Sequence, residues 1–202
     1  PMQRSLVGSE MCIRDRSMGV LMNICMTGIY CVAALLAEEK EKHTLRTLMT
    51  SSVNGLEFSI GSLLPSLALL IIVNVLCVFL SGMTFDASEW MAFLAVSTAA
   101  SMISCIIGMI FGIFAPNQMT AGTITTPVLI VLMLIPMLSG LNETIERISG
   151  FLFTGTLNTA ITNLDLGASV IDTKGILVLV LEALLSILLF LILYRKNGFE
   201  SN

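Results

Sequence analysis

Five apolar stretches fill most of this 202-residue chain, over residues 18–37, 61–83, 90–114, 120–139 and 175–194. Each is about 20 residues long, the length that crosses a ~30 Å hydrocarbon core at ~1.5 Å per residue. Only helices suit such segments, because an open strand would leave backbone N–H and C=O groups unpaired in lipid. The expected fold is therefore an all-α membrane protein with five transmembrane helices. Composition agrees. Hydrophobic residues make up 55% of the chain and charged residues 12%, against about 25% charged in a soluble domain.

Several function classes are excluded. None of the four lysines follows a glycine-rich loop, so the chain has no P-loop through which to bind ATP. With the single histidine His43, neither an H-E-x-x-H zinc site nor a Ser/His/Asp triad is possible. No basic run is large enough for nucleic acid. Cys12, Cys25, Cys31, Cys77 and Cys105 have no C-x-x-C spacing, and four lie inside apolar spans. They read as small packing residues. No cofactor, metal or catalytic residue is expected.

Residues 1–17 stand apart. Ser5-Leu6-Val7-Gly8-Ser9-Glu10-Met11-Cys12-Ile13-Arg14-Asp15 resembles translated sequencing-adapter DNA, and the stretch has no apolar core like that of a signal peptide. It is treated as non-native or disordered, and residues 18–202 as the folded domain. Within that domain the basic residues set an orientation. Lys40, Lys42 and Arg46 lie between the first two spans and Arg195-Lys196 follow the last, whereas the second loop, Thr84 to Glu89, has no Lys or Arg. Five spans put the first linker and the C-terminus on one side, which the positive-inside rule makes the cytoplasm.

The spans carry finer marks. The fourth contains Pro127 and Pro136, each of which removes an intrahelical hydrogen bond. With Asn74 and Glu182 they are candidates for a pathway through the bundle. Glu182 is the one ionisable residue well inside a span. A lone carboxylate there costs about 2.5–3.5 kcal/mol and should face the bundle or a wet cavity, or be protonated. It reads either as a cargo or gating contact or as a structural hydrogen bond to a neighbouring helix. On the third span Ser97, Ser101, Ser104, Gly108 and Gly112 share one helical face, which lets another helix approach closely. Ser101, Gly108 and Gly112 are thus candidates for packing against a span of the same chain or a second subunit.

Residues 140–174 separate the last two spans. Leu141, Ile145, Ile148 and Leu152 recur at helical spacing, as do Leu157, Ile161 and Leu164, with Gly150 and Gly155 between. The pattern predicts two short amphipathic helices lying at, or dipping into, the outer face. The first linker, residues 38–60, predicts a short cytoplasmic amphipathic helix, then a turn. Asn54 and Glu57 then cap the entry into the second span. An apolar stripe with a charged edge suits either a soluble partner or the lipid surface.

Glu39-Lys40-Glu41-Lys42, Thr44-Leu45 and Leu48, then Ser52-Val53-Asn54, Glu57 and Gly61, resemble the signature of type-2 ABC exporter permeases. That family tends to show E-[RK]-E-[KR]-x-T-[LM]-x-x-L, then S-P-V-S, an acidic residue and G-K. Here Ser52 stands in place of proline, Asn54 of serine, Ser62 of the basic residue and His43 of a frequent glycine. The family has six spans, so the resemblance makes these five its second to sixth, with the first missing from the fragment. It implies that 38–60 is a coupling helix resting on a separate ATPase subunit, through Glu39, Glu41, Thr44, Leu45, Arg46, Leu48, Met49, Val53 and Glu57. It also implies a second permease chain, identical or not, in a bacterial cell membrane, and an outer cap before the last span. The few polar groups in the first two spans, Asn23, Thr27 and Asn74, favour a hydrophobic or amphipathic cargo. The alternative is a multispan membrane protein without an ATPase partner: a scaffold, a channel or an ion-coupled carrier.

Overall fold

The computed structural model of the chain describes residues 15, 17–42, 55–80, 86–165 and 173–197, with side chains described over 17–42, 61–80, 86–164 and 173–194. Among the described residues all regular structure is helical, as expected from the sequence. Five helices are long and apolar enough to cross a membrane: α1 (Ser17–Glu41), α2 (Gly55–Leu80), α3 (Ala87–Phe114), α4 (Gln118–Leu138) and the last, α7 (Thr173–Asn197). Between α4 and α7 lie a 3-10 turn (Ser139–Leu141) and two shorter helices, α5 (Glu143–Ser149) and α6 (Phe153–Asp165).

Local sequence sets the boundaries. Before α3, the Glu89 carboxylate accepts from the Asp86 N–H at 2.9 Å. Before α4, Asn117 Oδ1 accepts from the Thr120 N–H at 2.8 Å, and before α5, Asn142 Oδ1 accepts from the Thr144 N–H at 3.0 Å. Each satisfies donors that the first helical turn leaves without partners. Asn142, in a tripeptide that fits the glycosylation pattern, therefore acts as a helix cap. The entry into the second span agrees with the sequence reading, residues 55–60 being the first turns of a helix continuous with that span. One boundary differs: α1 does not stop at Ala37 but runs on through Glu38–Glu41.

α3 is the centre of the bundle. It packs against α1, α2, α4, α6 and α7, and both α3 and α1 are mostly buried. α2, α4 and α7 are peripheral and turn apolar side chains outward, among them Phe79, Leu80, Leu177 and Leu184 at 60% exposure or more. In water such surfaces would be a liability; in a bilayer they meet lipid. The buried face of α6 is Phe153, Leu157, Ala160, Ile161 and Leu164, all at 4% exposure or less. This helix therefore penetrates the bundle.

Candidate functional site

The polar groups of the spans are gathered in one place. Asn74 on α2 is fully buried. Its Oδ1 accepts from Asn23 Nδ2 on α1 at 2.7 Å, and its Nδ2 donates to Ser97 Oγ at 3.0 Å and Ser101 Oγ at 3.5 Å on α3. Thr27 Oγ1 donates to Asn23 Oδ1 at 3.1 Å. Asn74 is a pin between three helices, its amide already committed on both atoms. Hydrogen bonds of this kind between membrane helices average about 0.6 kcal/mol and reach about 1.7. Asn74→Leu is expected to cost about 1–2 kcal/mol in unfolding of the micelle-embedded protein, with Ser97→Ala alone costing less.

Next to the pin, α1 and α3 touch along their backbones. A Cβ at Gly108 would lie 2.6 Å from the Gly28 carbonyl oxygen and 2.7 Å from that of Ile29. One at Gly28 would lie 2.1 Å from Ser104 Oγ, and one at Gly112 would lie 2.9 Å from Leu36. The small face of α3 is thus occupied by α1 of the same chain at Gly108 and Gly112, and by Asn74 at Ser101. Here α1 is a π-helix over Met26–Cys31, a local loosening of the i→i−4 ladder. Ser104 Oγ donates to the Ile24 carbonyl at 2.7 Å just before it.

The charged end of α1 meets the turn between α3 and α4. Lys40 Nζ donates to the carbonyls of Ile113, Gly112 at 3.3 Å and Ala115 at 3.2 Å. These are the C-terminal carbonyls of α3, which lack intrahelical partners and carry the negative end of the helix dipole. The Glu41 carboxylate accepts from the Gln118 N–H at 3.3 Å, at the N-terminus of α4, where the dipole favours an anion. One turn of α1 therefore complements two helix ends of opposite polarity. Lys42 pairs with Glu38 one turn back. That hydrogen bond and charge, with Glu39 and Glu41 nearby, raise the Lys42 pKa above the ordinary lysine value. These partners explain why the helix continues past Ala37: the charges that end the apolar run are held by the α3–α4 turn.

A cavity of about 290 Å³ lies between α3, α4 and α7, with Leu152 and Phe153 also in its lining. Its walls are apolar apart from Glu182 and Ser186 of α7. The Glu182 carboxylate lies near the backbone N–H of Phe153, the first residue of α6. Glu182 is nine residues beyond the start of α7, so this contact lies about 13 Å along that helix. Glu182 therefore sits beside the N-terminus of α6. Its Oε2 is buried and has no hydrogen-bond partner among the described residues.

Of the candidate pathway residues, Pro136 is buried and Pro127 exposed on α4, next to Val128 of the cavity wall. Asn74 is on the opposite side of α3 from the cavity's Ile107 face, among α1 and α2. Asn74 and Glu182 thus belong to different sites. Of the candidate coupling residues, Glu39 and Glu41 are in the last turn of α1, and Glu57 is in the first turn of α2. Thr44, Leu45, Arg46, Leu48, Met49 and Val53 lie outside the described residues, as do the cap at Asn54 and residues 1–14. The sequence reading missed Lys40 as an anchor, the π segment and the cavity. The acid–base alternation Glu39-Lys40-Glu41 was the available signal for the first; the other two have none in the local sequence.

An all-helical bundle with five membrane-length spans, a charged end and a penetrating helix defines a multi-pass membrane protein. A family model described as ABC-2 type transporter matches residues 3–152. The chain belongs to that family and is a permease component of an ABC transporter. The match begins within the stretch set apart in the sequence and ends at the α5–α6 connection. No curated protein and no solved structure matches the chain. Permeases of this family are membrane components that associate with ABC ATPase subunits and are not ATPases themselves.

Proposed function

We propose that this chain forms half of the translocation pathway of an ATP-driven exporter, driven through residues 38–60 by a separate ATPase subunit. The observation that carries the reading is the double anchor of Lys40 and Glu41. The proposed coupling segment begins in the turn of α1 that holds both the C-terminus of α3 and the N-terminus of α4. A displacement there is delivered to three spans at once, which a linker floating at the lipid surface would not achieve.

In this reading the charged end faces the cytoplasm, supported by the bias of Lys40, Lys42, Arg46, Arg195 and Lys196. The α5–α6 connection then lies at the outer side and caps the pathway. Two permease chains and two ATPase chains make the working unit, because one bundle with one coupling segment supplies half of a two-fold pathway. The cargo is hydrophobic or amphipathic: the main polar cluster of the spans, around Asn74, is consumed in helix pairing and offers no polar lining.

Leu45, Leu48 and Met49 supply the apolar anchors to the ATPase, and Glu39, Glu41 and Arg46 the rim. Leu48→Asp is expected to abolish co-purification with the ATPase subunit while membrane insertion stays normal. A complex that survives this change would refute the assignment.

A further inference from the structure

We propose that the π segment Met26–Cys31 is a rotary joint in α1: its conversion to α-helix turns the charged end of the helix and withdraws Lys40 and Glu41 from the α3–α4 turn. The contacts of α1 with α3 are out of phase with a plain α-helix. The Ile24 carbonyl accepts from Ser104, Gly28 lies against Ser104 and Gly108, Leu36 meets Gly112, and Lys40 donates to the last carbonyls of α3. These positions of α1 are spaced by four or eight residues. A spacing of four overshoots a turn of ~3.6 residues, so in an uninterrupted α-helix Ile24 and Lys40 would point about 160° apart. One neighbour could not then hold both. The i→i+5 bonding of a π segment widens its turn by about one residue. That removes about 100° of rotation and brings the two positions within about 60° of each other. The π segment lies between them.

The same chain thus has two ways to place its charged end, and the difference is local. One half of α1 is fastened to α2 through Asn23 and Asn74, the other to α3 and α4 through Lys40 and Glu41. Between these fastenings α3 offers the π turn a hydroxyl, Ser104 Oγ on the Ile24 carbonyl, and a bare backbone at Gly108. Mid-helix π turns recur at functional sites, and switching elements have two discrete packings of one sequence. A pull on the residues after Glu41 acts on the charged half alone, and the π turn is where that half is free to rotate about the axis. The inference deepens the coupling reading and rests on it only for what turns the joint; the joint itself is measured on the permease without an ATPase.

Deletion of Met26, an exposed residue of the π segment, lets the segment close as α-helix while both halves keep their present phase. Deletion of Leu35, also exposed but outside the segment, turns the charged end by about 100°. A photo-reactive amino acid at Gln118, which meets Glu41 through its backbone N–H, reports the anchor by cross-links within the chain to residues 40–42. Mass spectrometry of the full chain in nanodiscs reads them. They are expected in the wild type and in the Met26 deletion, and lost in the Leu35 deletion. In the complex with the ATPase, a non-hydrolysable ATP analogue should diminish them in the wild type and leave them unchanged in the Met26 deletion, which should have lost ATP-driven transport. Deletion of the exposed Tyr30, also in the segment, repeats the test if the Met26 deletion does not fold. Loss of the cross-links in a folded segment deletion would overturn the proposal, as would transport at the wild-type rate by that protein. So would wild-type cross-links indifferent to the nucleotide in an intact complex, or failure of both segment deletions to fold. Cross-links that follow the predicted pattern on the permease alone, beside a Leu48→Asp protein that keeps its ATPase, would support the joint and refute the coupling segment.

Discussion

Gly108→Leu is expected to be the most damaging single substitution in the spans. Even the first added carbon would lie 2.6–2.7 Å from two backbone oxygens of α1 and 3.1 Å from the Ile29 Cα. Backbone cannot swing aside as the tip of a side chain can. α1 and α3 must therefore separate, and the loss spreads to Gly112 against Leu36 and to the Asn23–Asn74 bond. Overpacking typically costs about 1–3 kcal/mol, and a clash of two helix backbones in the centre of the bundle belongs at or above the top of that range. Thermal unfolding in detergent measures it, with Gly61→Ala as the control. Nothing lies within 4 Å of a Cβ at Gly61, so that change should be neutral or slightly stabilising, by up to about 1 kcal/mol of helix propensity. Equal melting temperatures for Gly108→Leu and wild type would remove the close α1–α3 contact from the account.

Lys40→Met is expected to separate coupling from folding. The methionine keeps most of the apolar stem and removes the ammonium group that serves three carbonyls at the end of α3. A cation at a helix C-terminus contributes about 0.3–1 kcal/mol, rising to about 2 when partly buried. The variant should therefore fold, with unfolding free energy lower by about 1–2 kcal/mol. Transport should fall much further than stability, because the proposed coupling segment would then start from a turn no longer fastened to α3. ATP-driven uptake into inverted vesicles, measured beside melting temperature, separates the two. Lys40→Arg retains donors and charge and should recover part of the transport. A Lys40→Met protein that transports at the wild-type rate would show that the anchor is structural only.

The spans were legible because lipid makes a local demand: a run of about 20 apolar residues needs no knowledge of its partners. The amphipathic helix α6 was legible for a similar reason, since Leu157, Ile161 and Leu164 mark its inner face by spacing and are indeed buried. The small residues of α3 announced a close contact but not its partner. Gly108 and Gly112 look alike whether α1 or a second subunit fills the space. What the sequence could not convey depends on residues far apart along the chain. Nothing near Ala37 says that α1 continues, because the carbonyls that hold Lys40 are more than 70 residues away. Glu182 was visible as an oddity, but its neighbour is the backbone N–H of Phe153, which leaves no trace in residue identity. The cavity arises from four segments packed together and belongs to none of them.

The central claim is that the charged end of the bundle, and not the end bearing α5 and α6, meets the ATPase. A photo-reactive amino acid placed at residue 48, and in a second protein at the exposed Leu141, tests it in intact cells that also express the ATPase subunit. Cross-links to the ATPase from position 48, with none from position 141, are the predicted result. Cross-links from position 141, or none from either while the transporter remains active, would contradict the account.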